Sequence, residues 1–370
     1  MADQQLRVAL IGCDDHGRSG HLTAYRQLID RGEAVDLVAV CDQSAARARA
    51  AAEAFGVPRW FTDHRKLLAE IRPDAVSIAT PPLAHLEQTL AALAAGAHVL
   101  CEKPLAMNAA EAEQMVTAAR RAGRVLTMGL QNRYNPAAQY LRAVLAGDPR
   151  WLFGLEGAEL PDLGQIYHTR VWAGHVLRLP PSLHFFDPRL ARGGVVAATA
   201  VHILDAVLWM LGNPAITSVS ATTFARTRHM HMPPAPFETT AEAQRGFQVE
   251  DFAFGMVRLE SGATLTIETS WLMHPTSRST GVEFLGTGGV ATYSPLAIRL
   301  DDGSETRDVT PGQDIVPHRK EHYFLGVASD FLQAARTGAP TCIEDTQMIQ
   351  VQRLMDQLYE SAHLGREVPF

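Results

Sequence analysis

The chain has 370 residues, 46% of them apolar and 20% charged, with a formal net charge of −7. This is the composition of a soluble globular protein with room for two domains, each with its own core. The acidic balance and the lack of a basic tract argue against nucleic acid and anionic membrane surfaces as partners, and no apolar run approaches the length of a membrane span.

The opening segment "MADQQLRVALIG" lacks a basic-then-apolar signal pattern, which leads to the expectation of a cytoplasmic protein. Cys13, Cys41, Cys101 and Cys342 form no C-x-x-C pair. They read as structural thiols, three of them at or near the ends of strands.

In chain order, "RVALIG" reads as a strand and His21 to Arg31 as an amphipathic helix. The strand "VDLVAVCD" precedes the Ala/Arg-rich helix "QSAARARAAAEAFG", and a short "PRWFTD" leads to "HRKLLAEIRPD". Then come "AVSIATPP", the helix "LAHLEQTLAALAAG", the strand "HVLCEKP", the helix "NAAEAEQMVTAARRAG" and "RVLTMGLQNRY". Continuous apolar strands alternating with helices predict a doubly wound parallel sheet over residues 1–130.

The remainder, 131–370, reads as a second α/β domain. "IYHTRVWAG", "ITSVSATTFAR", "VEDFAFGMVRLESGATLTIETSWLM", "GVEFLGTGGVATYSP" and "LAIRLDDGSETRDV" are long alternating strands joined by Gly-containing turns such as Glu260-Ser261-Gly262. Alternation leaves one sheet face free for a partner. A helix from about Val196 to Leu211 interrupts early, and "DTQMIQVQRLMDQLYESAHLG" closes the chain. "HMHMPPAPFETTAEAQRG" is expected as a mobile loop.

The stretch "GCDDHGRSG" follows a strand and opens a helix, the context of a dinucleotide-binding turn. Gly12 and Gly17 fit the outer glycines of G-x-G-x-x-G, but Asp14 stands at the middle one, where the backbone approaches a pyrophosphate. His16, Arg18 and His21 lie close by and could offset part of its charge. Asp14 or Asp15 could instead cap the helix and hold the anion site from within. Asp42 ends the second strand, where a carboxylate binds an adenosine ribose and opposes a 2′-phosphate, which favours NAD over NADP.

Glu102-Lys103-Pro104 closes another strand, on the ligand side of such a sheet. A lysine there can polarise a carbonyl or balance an alkoxide, or can simply be a surface lysine. His202 lies on an otherwise apolar helix and reads equally as a buried structural histidine or as a base. His229 and His231 alternate as strand neighbours, but with no adjacent carboxylate no metal site is expected. No G-x-S-x-G or Cys-His signature supports nucleophilic hydrolysis.

Together, "VAVCD", "ATPPLAH", "CEKPLA", "GLQNRYNP", "VHILDAVLWMLGNP", "FLGTGGVATYSP" and "YESAHLGREV" resemble the Gfo/Idh/MocA family nearly end to end. The resemblance implies an N-terminal Rossmann domain and a C-terminal α/β domain with a large, open, mostly antiparallel sheet. It implies NAD(P)-dependent oxidation of sugars, cyclitols and related alcohols, and homodimers or homotetramers formed through that sheet. It implies Lys103 beside the reacting hydroxyl and His202 as the catalytic proton acceptor. Gly12, Asp14, His16, Gly17, Asp42, Thr80, Pro81, His85, Glu102 and Lys103 would line the dinucleotide. Arg133, Tyr134, Arg170, Trp172 and His202 would contact substrate.

The family usually carries D-x-x-x-H before the catalytic histidine; here that aspartate is Ala198, which cannot orient an imidazole. Asp205 could substitute, although it reads first as structural. Three readings of function stay open: a sugar, cyclitol or glycoside dehydrogenase; a redox-neutral keto-sugar isomerase or lyase that keeps Lys103 and His202; and a non-catalytic subunit.

Overall fold

Short runs of β-branched and small apolar residues build the first sheet, and they are buried on both faces, as parallel strands covered by helices require. The computed structural model describes residues 5–149, 160–176, 180, 183–225, 248–273, 280–301, 303–313, 315–316 and 323–370. The strands are β1 (Leu6–Ile11), β2 (Val35–Cys41), β3 (Trp60–Phe61), β4 (Ala75–Ile78), β5 (His98–Cys101) and β6 (Leu126–Met128). All pair in parallel, in the order β3-β2-β1-β4-β5-β6. Chain order reverses between β1 and β4, so the ends of these strands flank the crevice where a doubly wound sheet takes its ligand.

Helices α1 (Thr23–Asp30), α2 (Ala45–Phe55), α3 (His64–Ile71), α4 (His85–Ala94) and α5 (Ala109–Ala122) connect the strands. Their starts are written locally. The Ser44 side chain accepts from Arg47 N, Asp63 from Arg65 N and Asn108 from Glu111 N, each satisfying a free amide of the first turn.

The chain divides into two compact units, Met1–Gln131 with Glu321–Gln352, and Asn132–Lys320 with Arg353–Phe370. The expected second domain, 131–370, therefore gives up an internal stretch to the first unit. That stretch holds α9 (Phe324–Thr337), which the sequence reading did not assign, and the start of α10 (Asp345–Leu364). The physical reason is cover. Phe324, Leu325, Val327, Ala328, Phe331 and Leu332 form one buried stripe of α9, packed on α1 and β5. Arg336 also reaches Glu33, and Thr341 hydrogen-bonds Thr127.

The second unit holds β7 (Ile166–Val176), β8 (Ile216–Phe224), β9 (Phe252–Leu259), β10 (Thr264–Met273), β11 (Thr280–Gly286), β12 (Gly289–Tyr293), β13 (Ala297–Asp301), β14 (Thr306–Asp308) and β15 (Val368–Pro369). They form a sheet in the order β14-β13-β12-β11-β7-β10-β9-β8-β15. Every pair is antiparallel except β7 with β10. The expected turn between β9 and β10 is present, with Gly262 at φ +84°.

One face of this sheet is covered. Thr169, Val171 and Ala173 of β7 and Leu265, Ile267 and Thr269 of β10 are buried. Gly255, in the same layer on β9, lets Leu358 of α10 approach: a Cβ there would lie 2.6 Å from its Cδ2. The other face carries Arg170, Trp172, Glu268 and Phe254 in neighbouring register, and these four are exposed or partly exposed.

Besides α6 (Pro136–Ala146) and the short α7 (Pro188–Ala191), the unit contains a π-helical turn, Val196–Ala200, running into α8 (Val201–Met210). The helical stretch Pro188–Met210 is long and apolar enough by composition to cross a membrane, contrary to the sequence expectation. Its most apolar 18-residue window is 83% buried, as the core helix of a folded unit is. The expected mobile loop and the His229/His231 pair lie outside the described residues.

Candidate active site

The turn after β1 is as tight as its glycines suggest. Gly12 has φ +100°, and a Cβ on it would sit 2.5 Å from the Ala79 carbonyl. A Cβ on Gly17 would sit 2.1 Å from the Gly12 oxygen. Neither position tolerates a side chain. The middle position does: Asp14 turns its Oδ1 back to within 3.5 Å of Gly17 N, at the start of the helix. This is a long N-cap contact, and it places a carboxylate at the positive end of the helix.

Asp42 is buried at the end of β2. Its Oδ2 accepts from Cys13 N (3.0 Å), and its Oδ1 accepts from Ser44 N (2.8 Å). Arg47, which the sequence reading passed over, donates to the same Oδ1 from Nε (3.1 Å) and Nη2 (2.8 Å). Its signal was an arginine in the first turn of the helix that follows Asp42. Arg47 offsets the charge that would oppose a 2′-phosphate.

Glu102, 5% exposed, is the hub of the first unit's site. Its Oε1 accepts from His16 Nε2 (3.0 Å) and His21 Nε2 (3.1 Å), and its Oε2 from Lys103 N (3.2 Å). Gly129 makes room: a Cβ there would lie 2.3 Å from Glu102 Oε1. Burial alone would raise the Glu102 pKa, but His16 and His21 overcome it and hold the carboxyl well below its usual range. Glu102 in turn raises His16, whereas burial lowers His21. Burial also lowers the Lys103 ammonium, partly countered by Glu102.

The donor atoms of His16, His21 and Glu102 lie within 4.8 Å of one another, a composition that could suit a metal ion. Their mutual hydrogen bonds account for the arrangement without one.

Thr80 and Pro81 follow β4, and the Thr80 hydroxyl is tied to Gln88 Oε1 at 2.7 Å. His85, expected beside the dinucleotide, is wholly buried instead. Its Nε2 meets the Thr80 carbonyl (2.7 Å) and its Nδ1 the carbonyls of Pro104 (3.0 Å) and Leu105 (3.2 Å). It lies between the two strand-end turns, with both ring nitrogens facing backbone carbonyls.

In the second unit, His202 opens α8 and stays partly exposed, and Asn132 Nδ2 donates to its carbonyl at 3.2 Å. Ala198 lies in the π-helical turn before it, next to Thr199, whose Oγ1 accepts from Trp271 Nε1 at 2.8 Å. Asp205 does not replace the missing aspartate. It is committed to Arg133, through Nε–Oδ2 at 2.9 Å and Nη2–Oδ1 at 2.5 Å. Arg133 is 0% exposed, so its expected contact with substrate gives way to a buried ion pair. Tyr134 beside it is partly exposed.

Arg170 and Trp172 also depart from expectation. They share the open face of β7, opposite the layer covered by helices. Arg170 pairs with Glu283 at 2.8 Å, and Trp172 lies over Gly281. The alternation of β7 sends them away from the face on which the π-helical turn before His202 packs.

Sequence reasoning also missed Glu250. Its Oε2 accepts from Gly194 N (2.9 Å), and its Oε1 from Val196 N (3.0 Å) and Tyr359 OH (2.8 Å). It caps the helical stretch that carries His202. The signal was Gly193-Gly194: a Cβ on either would strike Tyr359 or the Glu250 carbonyl.

Two family models match this chain. Residues 6–130 match the Gfo/Idh/MocA oxidoreductase family with its NAD-binding Rossmann fold, and residues 161–292 match the Gfo/Idh/MocA C-terminal domain. The chain belongs to the Gfo/Idh/MocA family. It is 32% identical to D-glucoside 3-dehydrogenase of Escherichia coli K12, over 100% of this chain and 98% of that one. It is 32% identical to 1,5-anhydro-D-fructose reductase of Ensifer adhaerens, over 84% of this chain and 82% of that one. The fold matches levoglucosan dehydrogenase in complex with NADH with a TM-score of 0.81 and 23% identity, over 99% of both chains.

The first unit of this Gfo/Idh/MocA chain fits a nicotinamide dinucleotide. The turn is closed so tightly that a Cβ at residue 12 or 17 would strike backbone, as the first turn of a dinucleotide-binding unit requires, and the Asp42 carboxylate closes the neighbouring strand.

Proposed function

We propose that this protein is an NAD(P)-dependent oxidoreductase acting on a hydroxyl or ketone of a sugar, cyclitol or glycoside. The observation that carries the reading is the phosphate turn joined through His16 and Glu102 to Lys103 at the end of β5. The end-to-end similarity to D-glucoside 3-dehydrogenase supports a glycoside as substrate.

When bound, the nicotinamide supplies the hydride acceptor or donor. Gly12, Gly17 and the Asp14–His16 backbone cradle its pyrophosphate, and Asp42 binds the adenosine ribose, which favours NAD. Thr80 and Pro81 line the dinucleotide. Lys103 balances the developing alkoxide, and its lowered pKa suits a group that shares a proton. His202 takes the hydroxyl proton, and Tyr134 contacts the substrate. Two or four copies associate through the open sheet face, and the enzyme works in the cytoplasm with no nucleic acid or membrane partner.

A second reading is favoured by Asp14, whose carboxylate sits at the helix end that would attract a phosphate. It is redox-neutral proton transfer beside a keto-sugar carbonyl, by the same Lys103 and His202. Titration with NADH and with NADPH, followed by nicotinamide fluorescence, decides between them, together with a search for dinucleotide released on denaturing the purified protein. Micromolar binding or a carried-over cofactor supports the dehydrogenase. No binding at millimolar concentration removes it.

A further inference from the structure

The turn carries a carboxylate where the cofactor brings two negative phosphates, and one nearby group can answer it. The His16 imidazole is 41% exposed, while the two groups it faces, Glu102 and His21, are 6% and 0% exposed. A carboxylate accepts only, so His16 and His21 both present Nε2–H to Glu102 Oε1. His16 can take a further proton on Nδ1 and become an imidazolium, with Glu102 as counter-ion 3.0 Å away. His21 has no access to water, and its Nδ1 meets no hydrogen-bond partner among the described residues. The position is built for this ring: Gly20 passes beneath it, where a Cβ would lie 3.2 Å from Cε1, and Phe324 of α9 packs edge-on at 5.6 Å. The charged groups that act on His16 are Glu102 and Asp14, which favour the imidazolium, and Lys103, which opposes it. Phe324 brings no charge.

We propose that His16 is the counter-charge of this cofactor site: dinucleotide binding draws one proton from water onto its imidazole, which offsets Asp14 and is held by Glu102. The proposal rests on the nicotinamide reading above and adds a proton to it. His16 lies only two residues from Asp14, so the charge arrives where the middle glycine was lost. The same carboxylate that anchors the strand end before Lys103 thereby keeps the imidazolium in place.

The test is the Kd for NADH across pH, from about 6 to about 9, with EDTA present. It is paired with calorimetry in two buffers of different ionisation enthalpy, which counts protons taken up. In the wild type, Kd rises by up to tenfold per pH unit once His16 has lost its proton, with uptake approaching one proton per dinucleotide. His16→Asn keeps a donor for Glu102 but cannot ionise; its Kd is flat over the same range and its uptake is nil. Lys103→Met keeps the wild-type slope. A flat wild-type profile, a slope that survives in His16→Asn, or one lost only in Lys103→Met overturns the proposal while leaving the nicotinamide reading intact. Absence of NADH and NADPH binding at every pH removes both.

Discussion

Arg133 and Asp205 form a bidentate ion pair in which both side chains are almost fully removed from water, at 1% and 2% exposure. Arg133 also lies over the Trp209 ring, 5.8 Å from its centroid. The pair joins the segment after β6 to α8, three residues beyond His202. It anchors the helix that carries His202, and it leaves Asp205 unable to orient that imidazole.

Breaking the pair from one side strands a buried charge. Arg133→Met is expected to destabilise the protein by about 3–5 kcal/mol, and Arg133→Met with Asp205→Leu to recover most of that loss. Urea unfolding of the single and double variants measures both. A single variant as stable as wild type would show that the pair contributes nothing.

Asp14→Gly is expected to tighten NADH binding at least tenfold, because a carboxylate about 4 Å from a phosphate charge costs about 1–4 kcal/mol in the dielectric range of a protein surface. Loss of the N-cap oxygen should lower stability by only a few tenths of a kcal/mol, since glycine is itself tolerated at that position. Fluorescence titration and thermal unfolding report the two effects separately. Unchanged affinity would contradict the claim that this carboxylate opposes the dinucleotide.

Arg47→Ala should change cofactor choice without changing the turn. It exposes the Asp42 carboxylate to the ribose and removes the cation that would meet a 2′-phosphate. The ratio of NADH to NADPH affinity is expected to rise about tenfold, measured by parallel titrations. An equal change in both would show that Arg47 acts only on the fold.

Acid should weaken the fold through His21 and His85. Both are wholly buried, and burial lowers them from the ordinary 6.5. Below that value the unfolded chain takes up protons that the native chain refuses. Stability therefore falls as pH drops through about 6.5, at up to about 1.4 kcal/mol per pH unit for each histidine. His16, raised by Glu102, opposes this with the contrary sign. Urea midpoints between pH of about 7.5 and about 5.5 test it, and a rising midpoint on acidification would contradict it.

The first sheet was legible because its strands are continuous apolar runs, and Gly12, Gly17, Asp42 and Glu102-Lys103 stand where those runs end. Helix α9 was not, because its apolar stripe (from Phe324) covers elements as far back as α1 (Thr23–Asp30) and β5 (His98–Cys101), and no local signal says which sheet a helix covers. Arg170 and Trp172 were placed on the correct strand, but the face they point to depends on which side the helices pack. Arg133 shows a related limit: an arginine's type suggests a ligand contact, whereas its pairing with Asp205 is decided by tertiary packing. Glu250 was hidden for the same reason, since it caps a helix 54 residues earlier.

The most direct test of the central claim is turnover. Purified protein is mixed with NAD and methyl β-D-glucopyranoside, and nicotinamide reduction is followed by absorbance alongside Lys103→Ala and His202→Ala. The account predicts NADH formation by the wild type and its loss by at least about a hundredfold in both variants. Reduction that persists undiminished in both variants would contradict the assignment of the chemistry to Lys103 and His202.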